Sequence, residues 1–122
     1  MLSLPLAVKI YLAKGPADMR KGIDGLVGIV MAKGFDIYSG HLFVFLGKRR
    51  NMAKIITFDR GGFVLYCKRL ERGRFRLPSL DGDTVRLDAA QLTMLLDGMD
   101  VLEVKRSKVW EPKNRLDINS AL

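Results

Sequence analysis

The chain has 122 residues, a length that fits one domain and allows about two-thirds of the unfolded surface to be buried. A hydrophobic fraction of 48% excludes wholesale disorder, and no apolar run approaches the ~20 residues that span a bilayer. Net charge is +8, with 21 Lys and Arg against 13 Asp and Glu, which points toward a polyanion or another acidic partner.

In chain order, Met1 to Lys9 lacks the basic and long apolar regions of a secretory signal. Val8 to Leu12 alternates weakly and stops at Lys14-Gly15-Pro16, as a first strand would. Pro16 to Asp18 is read as opening a helix with Asp18 as its cap. Met19, Ile23, Leu26, Val27, Val30 and Met31 form its apolar stripe, and Gly34 stops it. Gly22, Gly25 and Gly28 recur every three residues in that helix, each costing about 0.5–1 kcal/mol against alanine. Repeated glycine there implies close approach of a backbone or a partner. Three strand-like runs follow, His41 to Leu46, Ala53 to Phe58 and Phe63 to Leu70, joined by hairpin-length connections at Gly47–Asn51 and Asp59–Gly62. An antiparallel meander is the simplest reading. Asp81 to Thr84 is a turn. Asp88 and Gln91 have capping-box spacing before a short helix bearing Leu92, Leu95, Leu96 and Met99, with Gly98 near its end. Residues 1–112 are read as one α+β domain, and Lys113 to Leu122 as a flexible tail.

The charge is unevenly spread. Lys48, Arg49, Arg50, Lys54, Arg60, Lys68, Arg69, Arg72, Arg74 and Arg76 face only Asp59 and Glu71 within their stretch, a surplus of eight. The other 93 residues carry 11 basic and 11 acidic groups, so the whole excess lies between Lys48 and Arg76. Clustered cations without neighbouring carboxylates are what phosphate binding requires. Arg72, Arg74 and Arg76 would share one face if extended, and Phe75 between them could offer a base a stacking surface. The bland reading is a solvated face whose arginines pair with acids elsewhere; the local imbalance argues against it.

Signals for catalysis are weaker. His41 is the sole histidine and reads as structural. Cys67 alternates with Phe63 and Leu65 and reads as a buried, inert thiol; as a single cysteine it excludes an internal disulfide and a multi-cysteine zinc site. Asp81, Asp83 and Asp88 lack the glycine and terminal glutamate of a calcium loop. Glu103-Val-Lys105, with Asp83 or Asp88 upstream, has the acid-x-lysine form of a metal-dependent nuclease, but the triplet is common by chance. Asp18, Asp24 and Asp59 do not make a convincing carboxylate triad.

Four ordered blocks carry a family likeness: Ala17-Asp-Met-Arg-Lys-Gly-Ile-Asp-Gly-Leu26, Ser39-Gly-His-Leu-Phe-Val-Phe45, Lys68-Arg-Leu-Glu-Arg-Gly-Arg-Phe75 and Leu92-Thr-Met-Leu-Leu-Asp-Gly-Met-Asp100. From Pro5 to Pro112 the chain resembles the TnpB accessory protein of insertion sequence 66-type transposable elements. The resemblance implies a small bacterial protein encoded beside a larger transposase and needed for efficient transposition. It brings no catalytic residues, and DNA binding or help to the transposase are the roles it suggests.

The expectation is therefore an antiparallel sheet of four or five strands with two helices on one face, and arginines on the other face and hairpin tips. In function it is a cytoplasmic, non-catalytic accessory protein without cofactor or metal. Its expected partners are DNA, at the transposon ends, and the transposase of the same element. The DNA-contacting residues would be Lys48, Arg49, Arg50, Lys68, Arg69, Arg72, Arg74 and Arg76. The alternatives are an adaptor that docks the transposase without touching DNA and, more remotely, a nuclease.

Overall fold

The computed structural model describes residues 7–76, 84–98 and 112, and in them the apolar alternation of the sequence resolves into five strands. They are β1 (Ile10–Ala13), β2 (Leu42–Leu46), β3 (Met52–Asp59), β4 (Gly62–Arg69) and β5 (Thr84–Leu87), in the spatial order β4-β3-β2-β1-β5. Helix α1 (Ile23–Ala32) and a single 3-10 turn (Ile37–Ser39) connect β1 to β2, and α2 (Ala89–Leu96) follows β5. Among the described residues no helix is long and apolar enough to cross a membrane.

The α+β class, with five strands and two helices, is as the sequence predicts. Two details differ. First, β1 runs parallel to β2, with Ile10 beside Leu42, while the other pairings are antiparallel. A parallel pair needs a long crossover, which α1 supplies. Second, the helices lie on opposite faces. Ile10, Leu12, Leu42, Val44, Leu46, Ala53 and Ile55 pack with Leu92 and Leu95 of α2. The alternate residues Ala13, Phe43, Phe45 and Ile56 pack with Leu26 and Val30 of α1 and with Ile37. The physical reason is visible in β2, Leu-Phe-Val-Phe-Leu, whose five residues are all buried. A strand apolar on both sides needs a cover on both sides. Each aliphatic side chain so buried contributes on the order of 2 kcal/mol. No sheet face is therefore left for the arginines.

Helix α1 starts later than predicted, after Gly22, which provides no side-chain cap. Asp18 is occupied elsewhere. Its carboxylate accepts the Arg20 N–H at 2.9 Å and the Arg20 guanidinium at 2.9 Å, forming a tight turn instead of capping the helix. The Arg20 hydrogen bonds hold the Asp18 carboxyl down at about 2. The segment before the helix runs beside β2: the Ala17 N–H donates to the Leu46 carbonyl at 2.9 Å, and Met19 lies over Gly47. The second helix begins as the sequence indicates. Asp88 Oδ1 accepts the Gln91 N–H at 2.7 Å and Gln91 Oε1 accepts the Asp88 N–H at 2.9 Å. Met99, the Asp81–Asp83 turn and the 113–122 tail lie outside the described residues.

Candidate nucleic-acid interface

The basic surface is assembled from two connections at one end of the sheet. The β2–β3 connection carries Lys48, Arg49 and Arg50 and is closed by the Gly47 N–H on the Met52 carbonyl at 3.0 Å. Arg50 sits in the left-handed region at φ 57 and is held from both sides. Its N–H donates to the Gly47 carbonyl at 2.9 Å, and its carbonyl accepts the Phe75 N–H. The second connection leaves β4, whose last residue, Arg69, pairs with Met52. It turns back along the first. The Leu70 N–H donates to the Asn51 carbonyl at 2.7 Å, and Gly73 at φ 83 lets the chain bend.

Phe75 fixes this second connection. It is 1% exposed and packs in the cluster under α2. The expected stacking role for Phe75 is thus overturned: its ring is spent on the core, and a base cannot reach it. Its burial turns the flanking Arg74 and Arg76 outward, and Arg72 is exposed in the bend before them. The three arginines do not form one extended row, because Gly73 interrupts it. They nevertheless share an end of the molecule with Lys48, Arg49 and Arg50.

Two of the eight candidate cations have acidic neighbours. The Arg69 guanidinium meets Glu71 at 2.9 Å, and Lys68 Nζ lies 3.8 Å from Asp97 just after α2. The other six, Lys48, Arg49, Arg50, Arg72, Arg74 and Arg76, make no ion pair among the described residues. These six cations lie on two adjoining loops joined by the Phe75 N–H on the Arg50 carbonyl. Lys54 and Arg60 stand apart. Lys54 Nζ donates to the Lys21 carbonyl at 2.8 Å, bracing the segment before α1, and Arg60 occupies the β3–β4 turn at the far end of the sheet.

The remaining sequence candidates have structural places. His41 Nδ1 accepts the Lys9 N–H at 3.1 Å, and its ring lies edge-on to Tyr11. Burial, then the positive charges of Lys9 and Arg86, push its pKa below the usual histidine value. Cys67 does share a face with Leu65 and Phe63, since their partners are Lys54, Ile56 and Phe58. It is exposed, however, and not buried as expected, because the cover over that face ends before the end of β4. Asp88 is occupied as a helix cap; Asp83, Glu103 and Lys105 lie outside the described residues. The sequence reading counted Glu71 against the basic stretch but missed Asp97, which lies beside Lys68. It also missed the contact of Met19 with Gly47, for which no local signal exists.

Residues 8–106 match the family described as IS66 Orf2-like protein. Among curated proteins, the chain is 38% identical over 106 residues to the uncharacterized protein y4hO of Sinorhizobium fredii, covering 86% of this chain and 90% of that one. It is 34% identical over 113 residues to the uncharacterized protein y4jC of the same organism, covering 92% and 97%. No solved structure matches. The ordered sequence blocks, the extent of the family match and these relatives together make the chain a member of the IS66 Orf2-like family, which has an accessory role in transposition.

Proposed function

We propose that this chain holds DNA by its phosphate backbone, at the transposon ends, while a separate transposase performs the chemistry. The observation that carries the reading is the meeting of Lys48, Arg49 and Arg50 with Arg72, Arg74 and Arg76 at one end of the sheet, without ion pairs among the described residues. Lys68 and Arg69 are secondary, because Asp97 and Glu71 already balance them. Phosphate contacts position a protein without reading sequence, and an arginine surface with no base-stacking aromatic from Phe75 favours that mode.

Fluorescence anisotropy on the element's terminal repeat and on random DNA, at two salt concentrations, tests this. Affinity falls steeply with salt, with a log–log slope of about −0.9 per phosphate contacted. The triple substitution Arg72→Ala, Arg74→Ala, Arg76→Ala lowers affinity and flattens that slope by roughly 2–3. Salt-independent binding, or no binding at low salt, would falsify the reading.

A second reading, an adaptor that docks the transposase without DNA, is favoured by the outer surface of α1. A Cβ added at Gly22 or Gly28 would meet nothing, so no part of the described chain explains these glycines, and Met31, three residues after Gly28, is 59% exposed. Pull-down of purified transposase without DNA separates the readings. Capture that survives the triple arginine change but is lost in Gly28→Gln favours the adaptor.

A further inference from the structure

We infer that two copies of this chain pair edge to edge through β4, antiparallel about a two-fold axis between their Tyr66 residues. The β4 strand is eight residues long and lies at one edge of the sheet. Among the described residues nothing pairs with its outer edge. Exposed edges of this kind are normally blunted by proline, a bulge, a short strand or charged side chains, and the charges of β4, Lys68 and Arg69, lie only at its last two positions. Here the register from Met52–Arg69 to Asp59–Gly62 is unbroken, and the strand contains no proline.

The register of such a pair follows from the hairpin. Arg60 at φ 44 and Gly61 at φ 85 form a two-residue turn closed by Asp59 and Gly62. That closing pair is hydrogen-bonded, and bonding then alternates along the ladder. Gly62, Val64, Tyr66 and Lys68 thus direct their backbone groups to β3, and the Leu70 N–H on Asn51 continues the alternation. Phe63, Leu65, Cys67 and Arg69 direct theirs outward. A two-fold axis normal to the sheet keeps like faces together, so facing residues must have the same parity. With Tyr66 facing Tyr66, Phe63 meets Arg69 and Leu65 meets Cys67. All four outward residues are then satisfied, in about eight hydrogen bonds over four such pairs. Shifting the axis to Leu65 leaves Arg69 facing the turn, and shifting it to Cys67 carries Phe63 past the end of β4 onto Glu71.

The side chains favour a second copy over another partner. In this register Lys68 faces Val64 and Arg69 faces Phe63, so no like charges meet, and each guanidinium lies against an aromatic ring. Tyr66, 39% exposed in one copy, stacks on its own counterpart at the axis. This inference is independent of DNA binding and fails or stands on its own.

Analytical ultracentrifugation and cross-linking of the full chain test it. The wild type sediments as a dimer at micromolar concentration. In a Cys67→Ser background, Tyr66→Cys gives a disulfide-linked dimer on mild oxidation, since facing residues at a non-bonded position lie about 4.5 Å apart at Cα. Wild-type Cys67, offset by two residues from its counterpart, does not cross-link. Tyr66→Lys, which sets like charges at the axis, and Cys67→Pro, which removes an outward N–H, each weaken association at least tenfold. Circular dichroism of both variants confirms an intact fold, and either folded variant suffices. A monomeric wild type, a dimer indifferent to the folded variants, or cross-linking through Cys67 in place of Tyr66 overturns the proposal.

Discussion

Arg50 joins backbone geometry to the candidate function at a single residue. A side chain in the left-handed region costs roughly 1 kcal/mol, and two backbone hydrogen bonds keep it there. Glycine at this position removes both strain and charge. Arg50→Gly is therefore expected to hold stability within about 1 kcal/mol of wild type while DNA affinity falls, as urea unfolding and anisotropy would report together. Loss of both in parallel would mean that Arg50 is mainly a structural residue. Gly47 is the opposite case. A Cβ there would lie 2.6 Å from Met19 Cγ, so Gly47→Ala must displace the Met19 side chain or the segment that carries it. The expected cost is about 1–3 kcal/mol, read from the shift in denaturation midpoint. His41 adds a pH dependence whose sign follows from its environment. Its folded pKa is lowered by burial, so on acidification the unfolded chain takes up the proton first. Stability falls as pH drops through the ordinary histidine value of about 6.5, until the folded form is protonated as well. An NMR titration midpoint at or above that value would refute the assignment.

At the scale of elements, Phe75 shows why the second basic loop has a shape at all. Its ring anchors the chain under α2, and the flanking arginines point outward as a consequence. Phe75→Ala is expected to cost about 3–5 kcal/mol of stability and, at temperatures where the fold survives, to weaken DNA binding through loop disorder. Unchanged affinity in the folded variant would show that the arginines need no such positioning. This loop also marks where the sequence stopped being legible. Strand runs, both helices and the Asp88–Gln91 cap were readable because each rests on a local period or spacing. The burial of Phe75 depends on α2 and on strands far along the chain, and between two arginines it looks like a surface residue. Alternation likewise put Cys67 on the right face, yet could not say how far α1 covers that face. The sharing of the helices between two faces is latent in the unbroken apolar run of β2, but a five-residue apolar run does not by itself say which element covers each side. Of the candidate site, the cations and the nearby Glu71 were legible from the sequence; the convergence of the two loops and the approach of Asp97 to Lys68 were not.

For the whole molecule, the edge pairing and the basic end have a joint geometric consequence. Antiparallel pairing about Tyr66 sends the two basic ends in opposite directions. Leu70 lies four residues beyond the axis in each copy, and at ~3.4 Å per residue the two are about 27 Å apart. The arginine loops extend further, toward the ~34 Å of one turn of duplex. A dimer would then engage a DNA segment at two places on one face, while a monomer engages one. Duplexes longer than about two turns should accordingly bind wild type much more tightly than ten-base-pair duplexes, beyond the gain from the larger number of overlapping sites. Cys67→Pro, which keeps every cation but removes an outward N–H from the edge, should keep the short-duplex affinity and lose that extra gain. Anisotropy with a duplex-length series on both proteins decides the matter. An equal length advantage in a monomeric Cys67→Pro variant would show that each basic end acts alone.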